Sequence, residues 1–280
     1  MKYFIINIGD TMATQEELNN REYSYDNGFR PHPWNIPENY QFYNNRLGFR
    51  ILRRLEYLTM SIFFILFGKI RYHLKICNKQ NKRELRKIMK KEGAIITCNH
   101  IFPNDASLLM VNLQPKLIFT PTLQSNMGFG IISTVFRLAG VVPVPEELKD
   151  MRNFDEQTLK ALERKETICF MAEGSLILWS GHVRNFQRGA LKYAQMKDKK
   201  IVPTVYTLHA HSKKKKGKRP YLKLHYLAPY EIKNTGNRRQ DLIDATKELQ
   251  TITNDYFVTH SDPIWLDEIG LKRRNELLTR

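Results

Sequence analysis

This sequence predicts an α/β fold with a single, mostly parallel central sheet flanked by helices, preceded by an N-terminal membrane-interface helical segment. Three observations carry the prediction. From residue 94 onward, apolar runs of strand length alternate with stretches of helical period, the pattern of strands joined by crossover helices. Two polar clusters, at Asn99 and His100 and again at Glu173, Gly174 and Ser175, directly follow such runs. Ligands in open α/β sheets gather beyond the carboxyl ends of strands. The third observation lies upstream, where the most apolar stretch of the chain has Lys and Arg on both sides.

Residues 1–45 read as an N-terminal extension. Tyr3 to Ile8 has strand character, but the run is too short, and too soon interrupted by Asn7 and Asp10, to be a secretory signal. Tyr23 to Asn45, with Pro31, Pro33 and Pro37, predicts an irregular surface segment with no assignable chemistry. Residues 46–69 predict a helix centred on Tyr57 to Phe67. Crossing a bilayer takes about 20 apolar residues, and this stretch is shorter. It fits a helix lying in the membrane interface, with Arg and Lys at the headgroups and Phe63, Phe64, Leu66 and Phe67 among acyl chains. An ordinary core helix is the alternative. Ile70, Tyr72, Leu74 and Ile76 alternate with polar residues as a strand would, and Asn81 to Lys91 reads as a basic helix stopped by Gly93.

Ala94 to Cys98 predicts a short buried strand, with His100 just past its end. Pro103 suits the first turn of a helix running to about Asn112, and Asp105 falls in that turn. On one continuous helix two residues five apart diverge by about 140°, so both could not face one substrate. A strand end turning into a helix removes the difficulty. Asp105 can then hold one imidazole nitrogen while the other takes a proton from a hydroxyl, which is a general base with its orienter.

Further strands are predicted at Lys116 to Thr120, Val141 to Val144, Thr167 to Met171, Ile201 to Leu208 and Tyr221 to Leu227. Helices are predicted at Gly130 to Leu138, Asp150 to Arg164, from near Gln187, and at about Arg239 to Val258. Gly128 and Gly130 lack the third glycine of a dinucleotide loop. His211 to Arg219 reads as a flexible basic loop able to strengthen attachment to anionic lipid.

The 280 residues carry 45 Lys and Arg against 28 Asp and Glu, a net charge of +17 that calls for an anionic partner. Fourteen of the cations, against two Glu, lie between Arg46 and Lys91, beside the apolar stretch. Charge and apolarity together favour an anionic membrane surface, and no nucleic-acid-binding signature competes. Cys77, Cys98 and Cys169 are odd in number and lack metal-ligand spacing, so they read as reduced thiols facing the cytosol. His209 and His211 share a strand face, but two ligands do not make a site, and no metal is expected.

Asn99-His100-x4-Asp105, then Phe170-Met-Ala-Glu173-Gly174-Ser175, then Phe186-Gln-Arg188-Gly189-Ala190, then Val202-Pro203 resemble, in order and spacing, the motifs of the glycerolipid acyltransferases. The best-known members of that family are the 1-acylglycerol-3-phosphate acyltransferases. The resemblance covers residues 70–260 as an acyltransferase domain, leaving 261–280 as a tail. It implies an enzyme of phospholipid biosynthesis on the cytoplasmic face of the cell membrane, held peripherally or monotopically. Such an enzyme transfers a fatty acyl group from acyl-CoA or acyl-carrier protein to a lysolipid hydroxyl, without a further cofactor. By the same resemblance His100 is the base and Asp105 its orienter, with Asn99, Glu173, Gly174, Ser175 and Arg188 around the acceptor.

Two motifs depart from the family pattern. Ala172 stands where proline is usual, and Leu176 where an arginine follows the Glu-Gly pair; Val141 to Glu146 lacks the other customary arginine. Either Arg184, Arg188 or Lys192 substitutes as phosphate ligand, or the acceptor has no phosphomonoester. The competing readings are an acyltransferase-like protein that only binds lipid, and a serine hydrolase using Ser175. The second lacks the Gly-x-Ser-x-Gly elbow.

Overall fold

A computed structural model describes residues 32–211 and 219–266. The strand expected at Tyr3 to Ile8, the first part of the irregular segment, most of the basic loop and the tail from residue 267 lie outside the described residues.

The chain opens, after an irregular segment, with helix α1 (Leu47–Tyr72), then β1 (Lys75–Ile76), α2 (Lys79–Lys91) and β2 (Ala94–Cys98). Next come α3 (Asp105–Asn112), β3 (Ile118–Leu123), a 3-10 turn (Gln124–Met127), α4 (Ile131–Ala139) and β4 (Val141–Val144). Then follow α5 (Leu148–Glu163), β5 (Thr167–Met171), α6 (Gly189–Lys197), β6 (Ile201–His209), β7 (Tyr221–Tyr226) and α7 (Arg238–His260). Seven strands form one sheet in the order β1-β7-β6-β2-β5-β3-β4. The five from β6 to β4 run parallel, and β7 turns back antiparallel on β6.

The strand order fixes where a site can form. The connections β2 to β3 and β3 to β4 move toward one end of the sheet, whereas β4 to β5 and β5 to β6 move toward the other. Crossovers of one hand that travel in opposite directions lie on opposite faces. Helices α3 and α4 therefore cover one face, with α1 laid across them, and α5, α6 and α7 pack together on the other. The neighbouring strands β2 and β5 send their connections to different faces, which opens a crevice between their carboxyl ends.

One expectation needs correction and a second an addition. The alternation from Ile70 to Ile76 does not make a strand of that length: α1 continues to Tyr72, and only Lys75 and Ile76 pair with β7. The helix persists because Tyr72 is buried against Phe102 and Trp179, and it ends where His73 turns left-handed with its N–H on Gly68 O. The boundary drawn at residue 69 thus falls inside α1. The proline-rich segment is irregular and, among its described residues, mostly exposed, as expected, but it also anchors into the core. Tyr40, Phe42 and Tyr43 are buried, with rings edge-on to Trp34, Phe154 and Phe119. The Gln157 side chain bonds the backbone of Tyr40 and Phe42, closing the segment's polar groups.

Candidate active site

Strand β2 ends at Cys98, in register with Met171 of β5 and Thr204 of β6, so whatever follows enters the crevice. His100 stands there. The chain then bends through Ile101 and Phe102, and α3 begins at Asp105, two residues later than Pro103 had suggested. The bend brings His100 Nδ1 to 2.7 Å from Asp105 Oδ2. Asp105 is fully buried and His100 keeps 22 % of its side chain exposed, so the carboxylate is sealed while the imidazole meets the crevice. Backbone N–H groups of Ile101 (3.1 Å) and Ala106 (2.7 Å) donate to the carboxylate, and the Tyr206 hydroxyl donates to Asp105 O at 2.8 Å. Asp105 is thus fixed by bonds to its side chain and to its backbone.

Burial pulls the His100 imidazole down, but the charge and hydrogen bond of Asp105, with Glu173 adding to them, hold it above the ordinary histidine value against Arg184. A raised value means a stabilised imidazolium, the state a general base enters when it takes a proton.

Glu173 follows β5 and is buried at the same crevice. Its Oε1 accepts the N–H of His100 at 3.1 Å, and Oε2 pairs with Arg184 Nε at 2.6 Å. Burial raises the carboxyl's affinity for a proton, and Arg184 opposes the rise. Both oxygens therefore serve the protein, tying the turn after β2 to the turn after β5. Arg184 also donates from Nη1 to Ser175 Oγ at 2.7 Å and from Nη2 to Ser175 O. Of the three cations that could replace the missing arginine, Arg184 is the one beside the Glu-Gly pair, turned inward and nearly buried. Lys192 is held by Asp155 at 2.8 Å. Arg188 is exposed at the start of α6, one residue beyond Gln187, whose N–H donates to Ala172 O at 2.7 Å.

Gly174 and Ser175 are exposed at the mouth. Gly174 has φ +74°, and a Cβ there would come within 3.0 Å of Gln187 Cγ, so glycine is required on both counts. Asn99 departs from the expected acceptor contact. It is fully buried, donating from Nδ2 to Tyr206 O at 3.0 Å and accepting from Tyr206 N at 2.8 Å. Its side chain adds one more rung to the β2–β6 ladder where the backbone turns away.

Sequence reasoning missed Tyr206, Phe102 and Trp179. The stretch after Ser175 runs along the His100 turn, with Ile177 N on His100 O at 3.4 Å and Trp179 N on Ile101 O at 2.8 Å. Trp179 stacks on Phe102 with centroids 5.9 Å apart, and Tyr72 and Tyr206 pack against the same ring. Nothing local marks these contacts, because the partners lie far apart in sequence. Phe63 is exposed on α1, whereas Phe64 and Phe67 are half-buried, all three within one ring cluster. Among the described residues no three His, Cys, Asp or Glu side chains converge as metal ligands.

The doubly wound sheet thus carries a His–Asp pair and a buried glutamate at its crossover crevice. Residues 74–207 match the family model described as Acyltransferase. His100, Asp105, Glu173, Arg184 and Arg188 all lie within the matched residues, and α1 lies outside them. A crystal structure of PlsC, the 1-acyl-sn-glycerophosphate (LPA) acyltransferase from Thermotoga maritima, is similar with a TM-score of 0.40 and 13 % identity. The similarity covers 72 % of this chain and 95 % of that one. Comparison with curated proteins gives no match.

Proposed function

We propose that the protein is a membrane-associated O-acyltransferase that moves a fatty acyl group from acyl-CoA or acyl-carrier protein to a hydroxyl of a lysophospholipid or related lipid, as in phospholipid biosynthesis. The observation that carries this reading is the 2.7 Å bond from His100 Nδ1 to Asp105, which leaves Nε2 for the acceptor. The acceptor O–H gives its proton to Nε2 as its oxygen attacks the thioester carbonyl. The C–O bond forms, the C–S bond breaks, and the proton passes from the imidazolium to the leaving thiolate. The donor is already activated, so positioning and one base suffice without a covalent intermediate. Arg188, exposed beside Gly174 and Ser175, is the cation we assign to a headgroup phosphate. The Ser175 hydroxyl accepts from Arg184, an arrangement that favours this reading over a serine nucleophile.

We place the enzyme on the cytoplasmic face of the membrane through α1. Its buried side is Arg53, Tyr57, Ser61, Gly68 and Tyr72, and Leu47, Ile51, Leu55, Leu58, Ile62, Leu66 and Ile70 form an exposed stripe on the other. Among the described residues no helix is long and apolar enough to cross a bilayer. An apolar stripe with flanking cations fits a helix lying in the interface.

The test is incubation with labelled acyl donor and mixed lysolipids, followed by mass identification of the product. His100→Ala is expected to abolish product while leaving thermal unfolding and vesicle binding unchanged. A variant that keeps the full rate removes the base from the mechanism.

A further inference from the structure

Beyond β3 lies a lobe whose surface is inverted relative to an ordinary water-facing loop. Residues 117–136 form the longest run in the chain without Asp, Glu, Lys or Arg, in a protein with 26 % charged residues. Within this run Leu123 is 61 % exposed and Ile131 85 %, with Ile132 and Val135 also exposed. Ser125 and Thr134 are exposed as well, but the larger polar side chains and Ser133 point the other way. Gln124 is buried and bonds Trp34 O and Glu146 N, Ser133 is buried and bonds Met127 O at 2.6 Å, and Asn126 bonds Thr122 Oγ1. The amide side chains and Ser133 are thus satisfied inside while four aliphatic side chains face out, with only the small hydroxyls of Ser125 and Thr134 beside them, and a hydrocarbon solvent explains that arrangement better than water does.

Its position gives the lobe a function. It begins at the carboxyl end of β3, on the same sheet edge as His100 and two strands from β2, about 10 Å at the usual strand spacing. Helix α1 packs against α4 and brings its own carboxyl end to this edge, where Tyr72 meets Phe102. Ile70 is exposed there between Lys69 and Arg71. Apolar side chains beside cations match the acyl and headgroup layers of an anionic bilayer. A second copy of this chain, itself at +17, would be repelled.

We infer that residues 123–135 insert into the acyl layer of an anionic membrane as a second contact beside α1, seating the catalytic edge at headgroup level. The acceptor hydroxyl then reaches His100 while the acceptor's acyl chain stays in the bilayer. This rests on the membrane reading of α1, so the experiment separates the two.

Ile132→Trp and, in a second variant, Phe63→Trp are each mixed with vesicles of phosphatidylcholine and phosphatidylglycerol, with and without brominated acyl chains. Both introduced indoles are expected to shift to the blue and be quenched. The Ile131→Asp and Ile132→Asp double variant is expected to lose about tenfold or more in vesicle partitioning, while keeping its rate on a short-chain acceptor dissolved in water. Quenching at 63 but not at 132 overturns the lobe and leaves α1 docking standing; quenching at neither overturns both. A lipid-free dimer that the double variant converts to monomer assigns the lobe to a second copy and overturns the inference.

Discussion

His100 works in a pH range set by its neighbours. Asp105 and Glu173 hold the imidazole above its ordinary value, so the neutral form that accepts a proton is lost on acidification at a higher pH than for a free histidine. kcat/KM should therefore fall below that raised value and level off above it. Asp105→Asn removes the largest upward contribution, so the acid limb moves to lower pH. It also loosens the tautomer, so the plateau falls by about a thousandfold. A pH–rate profile of both proteins reads the two effects together; an unshifted limb means that His100 is not the titrating group. Arg188 and Arg184 differ in what they are free to do. Arg184 is committed to Glu173 and Ser175, whereas Arg188 is exposed and is the cation we assign to the acceptor's phosphate. Arg188→Ala should raise KM for a phosphorylated lysolipid about tenfold with kcat unchanged, the signature of lost uniform binding. The same KM with an acceptor that carries no phosphate completes the test.

The elements around these residues were legible to different degrees. Strands β2, β4 and β5 match their predicted bounds because each is a short apolar run stopped by glycine or a polar cluster. Helix ends slid by one to three residues, as they do where capping is weak: among the described α-helices only α7 has a side-chain cap, Asn237 Oδ1 accepting from Gln240 N. The His100–Asp105 pair was readable because strand, bend and helix lie within one short stretch. The clamp from Glu173 to His100 spans 73 residues, and Asn99 to Tyr206 spans 107, distances over which no pattern in one sequence joins two side chains. The Glu-Gly turn provides a sharp check on this level. Gly174→Ala places a Cβ at φ +74° and against Gln187, so it should cost about 1–2 kcal/mol. It should also displace Glu173 from His100. A fall in thermal midpoint accompanied by a larger fall in kcat is the expected pair. Unchanged stability would mean that the turn relaxes freely.

At the scale of the whole molecule, charge and apolarity are concentrated in one stretch of the chain. Fourteen Lys and Arg lie between Arg46 and Lys91, all but the buried Arg53 available to accompany the exposed stripe of α1, which packs over α3 and α4 on its face of the sheet. Cations near an anionic surface each contribute about 1 kcal/mol, and that contribution fades with added salt. Apolar insertion is nearly indifferent to salt and sensitive to a single buried charge. The two forces can therefore be separated in one sedimentation experiment with anionic vesicles. Raising the salt should weaken binding without abolishing it, because Phe63, Leu66 and Ile70 still transfer to the acyl region. Phe63→Asp at low salt should weaken it by a comparable amount, and the two together should release the protein. If neither treatment moves the protein off the vesicles, α1 does not hold it there.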